Sequence, residues 1–131
     1  MKWTSKGKKK TFGIKRFFNS FVCAFSGIIS ALKTEQNLIF DFIIAILTVI
    51  LGFVLKISTT EFILVILAIG LVISMELINT AIEYVVDMAM PEIHPLAKLG
   101  KDISSGAVLI SAIMALVVGL IIYLPKIIIL F

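Results

Sequence analysis

At 131 residues, 60% of them hydrophobic, and with a mean hydropathy of +1.16, the chain is too apolar for a soluble domain, where apolar residues make up about 45–50%. A chain this short cannot hide so much apolar surface alone, so one small membrane domain, covered by lipid and by further copies of itself, is expected. Twelve Lys and Arg against eight Asp and Glu leave a net charge of +4, and a single cysteine, Cys23, excludes an intrachain disulfide.

The positive charge is concentrated at the start. Lys2, Lys6, Lys8, Lys9, Lys10, Lys15 and Arg16 fall within residues 2 to 16 with no acid among them, so residues 1 to 13 read as a basic arm. Such an arm can serve nucleic acid, but beside an apolar-faced helix it fits anionic lipid headgroups better, and no nucleic-acid partner is expected. No cleavable signal is expected either, because an amphipathic pattern follows the basic run where a signal would carry an apolar core and a small-residue cleavage site.

From residue 14 the apolar positions Ile14, Phe17, Phe18, Phe21, Val22, Phe25, Ile28, Ile29 and Leu32 recur at helical spacing, with Lys15, Arg16, Asn19, Ser20, Ser26, Ser30 and Lys33 opposite. This predicts an amphipathic helix over residues 14–33 lying in the membrane surface. Cys23 sits in it and by itself reads as packing on an apolar face. Three membrane spans are predicted next, over residues 38–55, 62–88 and 107–124, each near the roughly 20 residues a bilayer requires. Asp41 interrupts the first, and Pro125 is expected to end the third. The link KISTTE at 56–61 is short; the link MPEIHPLAKLGKD at 90–102 is longer and polar, with two prolines and a glycine that break a continuous helix.

With the N-terminus in the cytoplasm, ten basic residues lie inside and only Lys56 and Lys126 outside, so the positive-inside rule sets a multi-pass topology in the cytoplasmic membrane. The surface helix, Glu35, the end of the second span and the 90–102 link then meet at the inner interface. On the third span Ala107, Ser111, Ala115 and Gly119 make a stripe of small residues of the kind that lets helices approach closely in lipid.

The polar residues of the second span are the unusual feature. At 100° per residue, Glu76, Asn79, Glu83 and Asp87 fall within about 80° of one another. The fourteen-residue run at 62–75 favours insertion by roughly 4–8 kcal/mol, whereas three ionised carboxylates at mid-membrane would cost about 8–10 kcal/mol. The stripe must therefore lie toward the inner end and face protein, water or a cation. Glu35 and Glu83 share that level, and two carboxylates suit Mg²⁺, which completes its shell with water and phosphate oxygens. Glu76, about 10 Å deeper by helix rise, is placed to meet a lipid headgroup. Lys98, Lys101 and Asp102 could neutralise phosphate or orient a metal, although the lysines also read as flank charges. His94 alone reads as a solvated interfacial residue, and Asp87 as a helix-end residue. With no phosphate-binding loop and no zinc or nucleophile-elbow motif, two classes remain: a metal-assisted enzyme acting on lipid, favoured by the basic arm and surface helix, or a small proton- or ion-conducting subunit.

ELINTAIEYVVD at 76–87 followed by KDISSGAVLISA at 101–112 resembles the signature of the prokaryotic diacylglycerol kinase family, and the likeness extends through GIISALKTEQN at 27–37 and nearly the whole chain. The resemblance implies a homotrimer of three-span protomers that transfers the γ-phosphoryl of ATP, with Mg²⁺, to a lipid hydroxyl. It implies Glu76 as general base, Glu35 and Glu83 as metal and ATP ligands, Asn79 as a polar positioner, and Lys101 with Asp102 as ATP contacts. Arg16 would serve nucleotide and lipid headgroup, Glu92 and His94 would lie near the nucleotide, and Cys23 is grouped with the nucleotide-binding residues. KRFFNSFVCAFSGI at 15–28 is similar to the undecaprenol kinase branch, which makes undecaprenol the expected acceptor and diacylglycerol the alternative.

Overall fold

The computed structural model describes residues 13–131, so Lys2, Lys6, Lys8, Lys9 and Lys10 of the basic arm lie outside the described residues. Four helices follow in order: α1 (Ile14–Thr34), α2 (Gln36–Val54), α3 (Thr59–Ala89) and α4 (Pro95–Leu130). All four, α1 included, are long and apolar enough to cross a membrane. In α1 Phe17, Phe18, Phe21 and Phe25 are exposed and Ala31 is buried, and the rings of Phe17 and Phe21 meet edge to face at 5.0 Å.

Each break between helices has a local cause. Glu35, in extended conformation, is at once the last cap of α1 and the first of α2, so one residue turns the chain. At the other end of α2, Lys56 adopts a left-handed φ of 53°. Its N–H donates to the Phe53 carbonyl at 3.2 Å, and the Ile57 N–H donates to the Gly52 carbonyl at 3.1 Å. This pair of bonds is the Schellman arrangement, which satisfies carbonyls that the helix end leaves orphaned. Ser58 then starts α3 through a capping box: its hydroxyl accepts from the Glu61 N–H at 3.2 Å, and Glu61 accepts from the Ser58 N–H at 3.0 Å.

The last helix is longer than the sequence suggests at both ends. Residues 95–102, expected in a polar link, form its first turns, because Pro95 at the first helical position gives up only an N–H that would be unpaired anyway. His94 caps that end, its Nδ1 accepting from the Leu96 N–H at 3.1 Å. Nor does Pro125 end the helix, which runs on to Leu130. Proline removes one backbone bond, but tertiary contacts hold the final turns: Lys126 pairs with Glu61 of α3 at 3.3 Å, and Ile127 packs on the core.

That core consists of Ile57, Val65, Ile122 and Tyr123, with Phe62, Ile69 and Val118 against it. Helix α3 is central, packed most extensively on α4 and then on α2. By helix rise α3 (31 residues) and α4 (36 residues) are about 46 Å and 54 Å long, beyond the roughly 30 Å of a bilayer's hydrocarbon. Apart from the Glu61–Lys126 pair at the other end, the charged residues of both helices lie toward the end they share, that of the connection Met90–His94.

The opposite end is pinned by close packing. The Tyr123 hydroxyl donates to the Thr48 carbonyl at 2.8 Å, and a Cβ on Gly52 would lie 2.9 Å from the Phe62 ring and 3.0 Å from both Ile57 Cδ1 and the Tyr123 hydroxyl. Overpacking of this kind costs about 1–3 kcal/mol. Gly52→Ala is therefore expected to lower the unfolding midpoint in detergent, and a midpoint equal to wild type would show that the contact relaxes freely.

Candidate active site

The site grows from one face of α3. Glu76 is buried, with 8% of its surface exposed. One turn on, the buried Thr80 satisfies its hydroxyl by donating to the Glu76 backbone carbonyl at 2.9 Å, leaving the Glu76 carboxylate to other partners. Asn79 Nδ2 donates to Glu83 Oε1 at 3.5 Å, while Asn79 Oδ1 is buried without a hydrogen-bond partner.

Helix α2 contributes a residue that the sequence reading treats only as an interruption of a span. Asp41 is half-buried, and its Oδ2 is fully enclosed and lacks a hydrogen-bond partner. Buried polar atoms are nearly always paired, so the orphaned oxygens of Asp41 and Asn79 each suit a donor or cation. Two signals in the sequence point to Asp41. An ionisable residue inside a span is a functional candidate by default, and Asp41, Ala45, Thr48 and Gly52 recur at helical spacing on one face. Asp41 stands among the residues lining an apolar groove of about 450 Å³ between α2, α3 and α4, with Ala45, Val72, Ala112 and Gly119 among the others.

Glu35 arrives through the corner between α1 and α2. The Thr34 and Tyr84 hydroxyls are hydrogen-bonded at 3.3 Å, which joins that corner to the turn of α3 bearing Glu83. The Glu35 side chain makes no capping bond, so its carboxylate is not consumed by the helix start. Among the described residues no group of three or more His, Cys, Asp or Glu side chains could hold a metal ion. The donor set is thus unsuited to a closed protein shell but fits a hard ion such as Mg²⁺, which is commonly held by one or two carboxylates with water and phosphate oxygens.

A second polar layer lies beyond. Lys101 of α4 forms an ion pair with Asp87 of α3, and Lys98 pairs with Asp102 one turn along α4 at 2.5 Å. The charges of Asp87 and Glu83 both act on Lys101. His94 serves as a helix cap, a role not foreseen from sequence, and Glu92 is exposed in the connection. Arg16 and Cys23 stand apart from the carboxylates within one chain: along α1 they lie roughly 28 Å and 18 Å from Glu35 by helix rise. Arg16 is exposed and Cys23 half-buried.

The chain matches the family model described as prokaryotic diacylglycerol kinase over residues 22–123, which include every site residue named above except Arg16. It is 43% identical to the undecaprenol kinase of Bacillus subtilis over 113 residues, 86% of this chain and 92% of that protein. It is 35% identical to the diacylglycerol kinase of Synechocystis sp. over 107 residues, covering 81% of this chain and 61% of the relative. To the diacylglycerol kinase of Haemophilus influenzae it is 35% identical over 102 residues, 78% and 86% of the two chains. Of the two classes that the residues alone leave open, these matches select the enzyme: the chain belongs to the prokaryotic diacylglycerol kinase family, and is by that membership a lipid kinase.

Proposed function

We propose that this protein transfers the γ-phosphoryl group of ATP, with Mg²⁺, to undecaprenol, giving undecaprenyl phosphate, with diacylglycerol as the alternative acceptor. The observation that carries the reading is the buried Glu76 on the face of α3 that also bears Asn79 and Glu83, toward the polar end of a helix bundle with an apolar groove lined by Asp41 of α2. An alcohol on an apolar tail presents its hydroxyl to such a carboxylate while the tail stays in lipid. The preference for a polyprenol rests on the likeness to the Bacillus subtilis undecaprenol kinase over most of both chains.

Glu76 takes up the proton of the lipid hydroxyl as the hydroxyl oxygen attacks the γ-phosphorus, and the bond from that phosphorus to the bridging oxygen breaks with ADP as the leaving group. Glu35 and Glu83 would hold Mg²⁺, which when bound would offset charge on the phosphate oxygens. Lys101, with Asp102 beside it, meets the nucleotide from α4, and Asn79 steadies Glu83 through its amide. Phosphoryl transfer leaves the protein little covalent work, so positioning and electrostatics supply most of the catalysis. Arg16, Cys23, Glu92 and His94 are proposed to line the nucleotide side, with Arg16 also meeting the lipid headgroup.

In this reading α1 lies in the inner surface of the cytoplasmic membrane with its exposed phenylalanines among lipid, and the basic arm meets anionic headgroups. The site faces the cytoplasm, where ATP is available. The spans leave Ile43, Ile46, Leu47, Ile66 and Leu67 exposed, a surface that lipid and two further copies in a homotrimer would cover.

Purified protein in mixed micelles with labelled ATP and Mg²⁺ tests the proposal, comparing undecaprenol and diacylglycerol at equal mole fraction. Faster labelling of undecaprenol is expected. Labelling of neither lipid would overturn the activity, and faster labelling of diacylglycerol would reverse the order of acceptors.

A further inference from the structure

Asp87 is placed where a carboxylate does its own helix no service. It lies in the last turn of α3, near the negative end of the helix dipole, where cations are favoured. It nevertheless has a partner from another helix: the ammonium of Lys101, fourteen residues on and across the connection from Met90 to His94. Glu83 lies four residues before Asp87, on the same face of α3, and its charge also acts on Lys101. The Lys101 side chain is 37% exposed and that of Asp87 61% exposed, so the cation is the more covered partner of the pair. Neighbouring Asp102 is occupied by Lys98 within α4, which leaves Asp87 as the carboxylate that ties Lys101 to α3.

An ammonium has three donors, and Asp87 takes one of them. A lysine stem is otherwise long and flexible, so an anchored head keeps its remaining donors aimed at one place. We propose that Asp87 is a positioning residue for the nucleotide: it holds the Lys101 ammonium beside the turn of α3 that carries Glu83, so that bound phosphate meets a cation already in place. This rests on the reading of Lys101 as a nucleotide contact, and the test separates the two ideas.

The test is a double-mutant cycle on the full chain in mixed micelles at saturating Mg²⁺ and lipid, reading KM for ATP and kcat separately. Lys101→Met is expected to raise KM for ATP by about ten-fold or more, and Asp87→Asn by roughly three- to ten-fold with kcat within about two-fold of wild type. In the Lys101→Met background Asp87→Asn should add nothing, because there is no ammonium left to hold. Asp87→Glu, which keeps the charge, should recover most of the loss. An unchanged KM in Asp87→Asn overturns the proposal while leaving Lys101 in its role, as does an equal rise in both backgrounds. An unchanged KM in Lys101→Met removes Lys101 from the nucleotide and the proposal with it. A merely structural ion pair would lower the unfolding midpoint of Asp87→Asn without moving its KM for ATP, so the midpoint is read alongside.

Discussion

Glu76→Gln is expected to abolish phosphoryl transfer, with a loss in kcat on the order of 10²–10⁴-fold, the range over which a positioned general base contributes. Glutamine keeps the size and hydrogen-bonding edge of the side chain but cannot accept the hydroxyl proton. Glu76 is the buried carboxylate of the cluster, and the hydroxyl of Thr80, one turn on, is bonded to the Glu76 backbone carbonyl and not to the carboxylate. ATP binding, unfolding midpoint and oligomer size should stay near wild type, since none of the helix caps or ion pairs involves this side chain. Initial rates with labelled ATP, set beside an equilibrium binding measurement, check the claim; turnover close to wild type would strip Glu76 of the proton-accepting role.

Glu35→Gln and Glu83→Gln should act differently, by raising the Mg²⁺ concentration required for half-maximal rate. Even losing a residue that only supports a metal ligand typically costs about 10–100-fold in affinity, so a shift of at least about ten-fold is expected for each. Glu35 comes from the corner between α1 and α2 and Glu83 from α3, so neither can replace the other by moving along its own helix. Because both would serve one ion, the double variant should fall short of the product of the single effects. Magnesium titrations at fixed ATP and lipid read this directly. Superimposable titrations for wild type and both single variants would rule out a shared ion between these two residues.

Much of this protein is written in local features of its chain. The apolar runs specify helices long enough to cross a bilayer, and the 76–87 segment carries its carboxylates at helical spacing; the starts of α3 at the Ser58 capping box and of α4 at Pro95 fall in segments expected as links. These features depend on neighbours within a turn or two, so they can be read residue by residue. The polar layer shared by Glu76, Asn79 and Glu83 is legible for the same reason, because one helix displays all three.

Packing between distant segments decided the rest. Nothing near Pro125 in sequence indicates that α4 continues; Lys126 reaching Glu61 and Ile127 reaching the core hold those turns in place. Gly52 leaves no room for a side chain only because Phe62, Ile57 and Tyr123 converge on it. Asp41 comes to line the groove between the spans because α2 packs on α3, and Asp87 finds Lys101 only when the two long helices lie side by side. Helical periodicity sets which face a residue occupies, but the groups that face it from other helices, and hence its charge balance and chemistry, depend on tertiary structure.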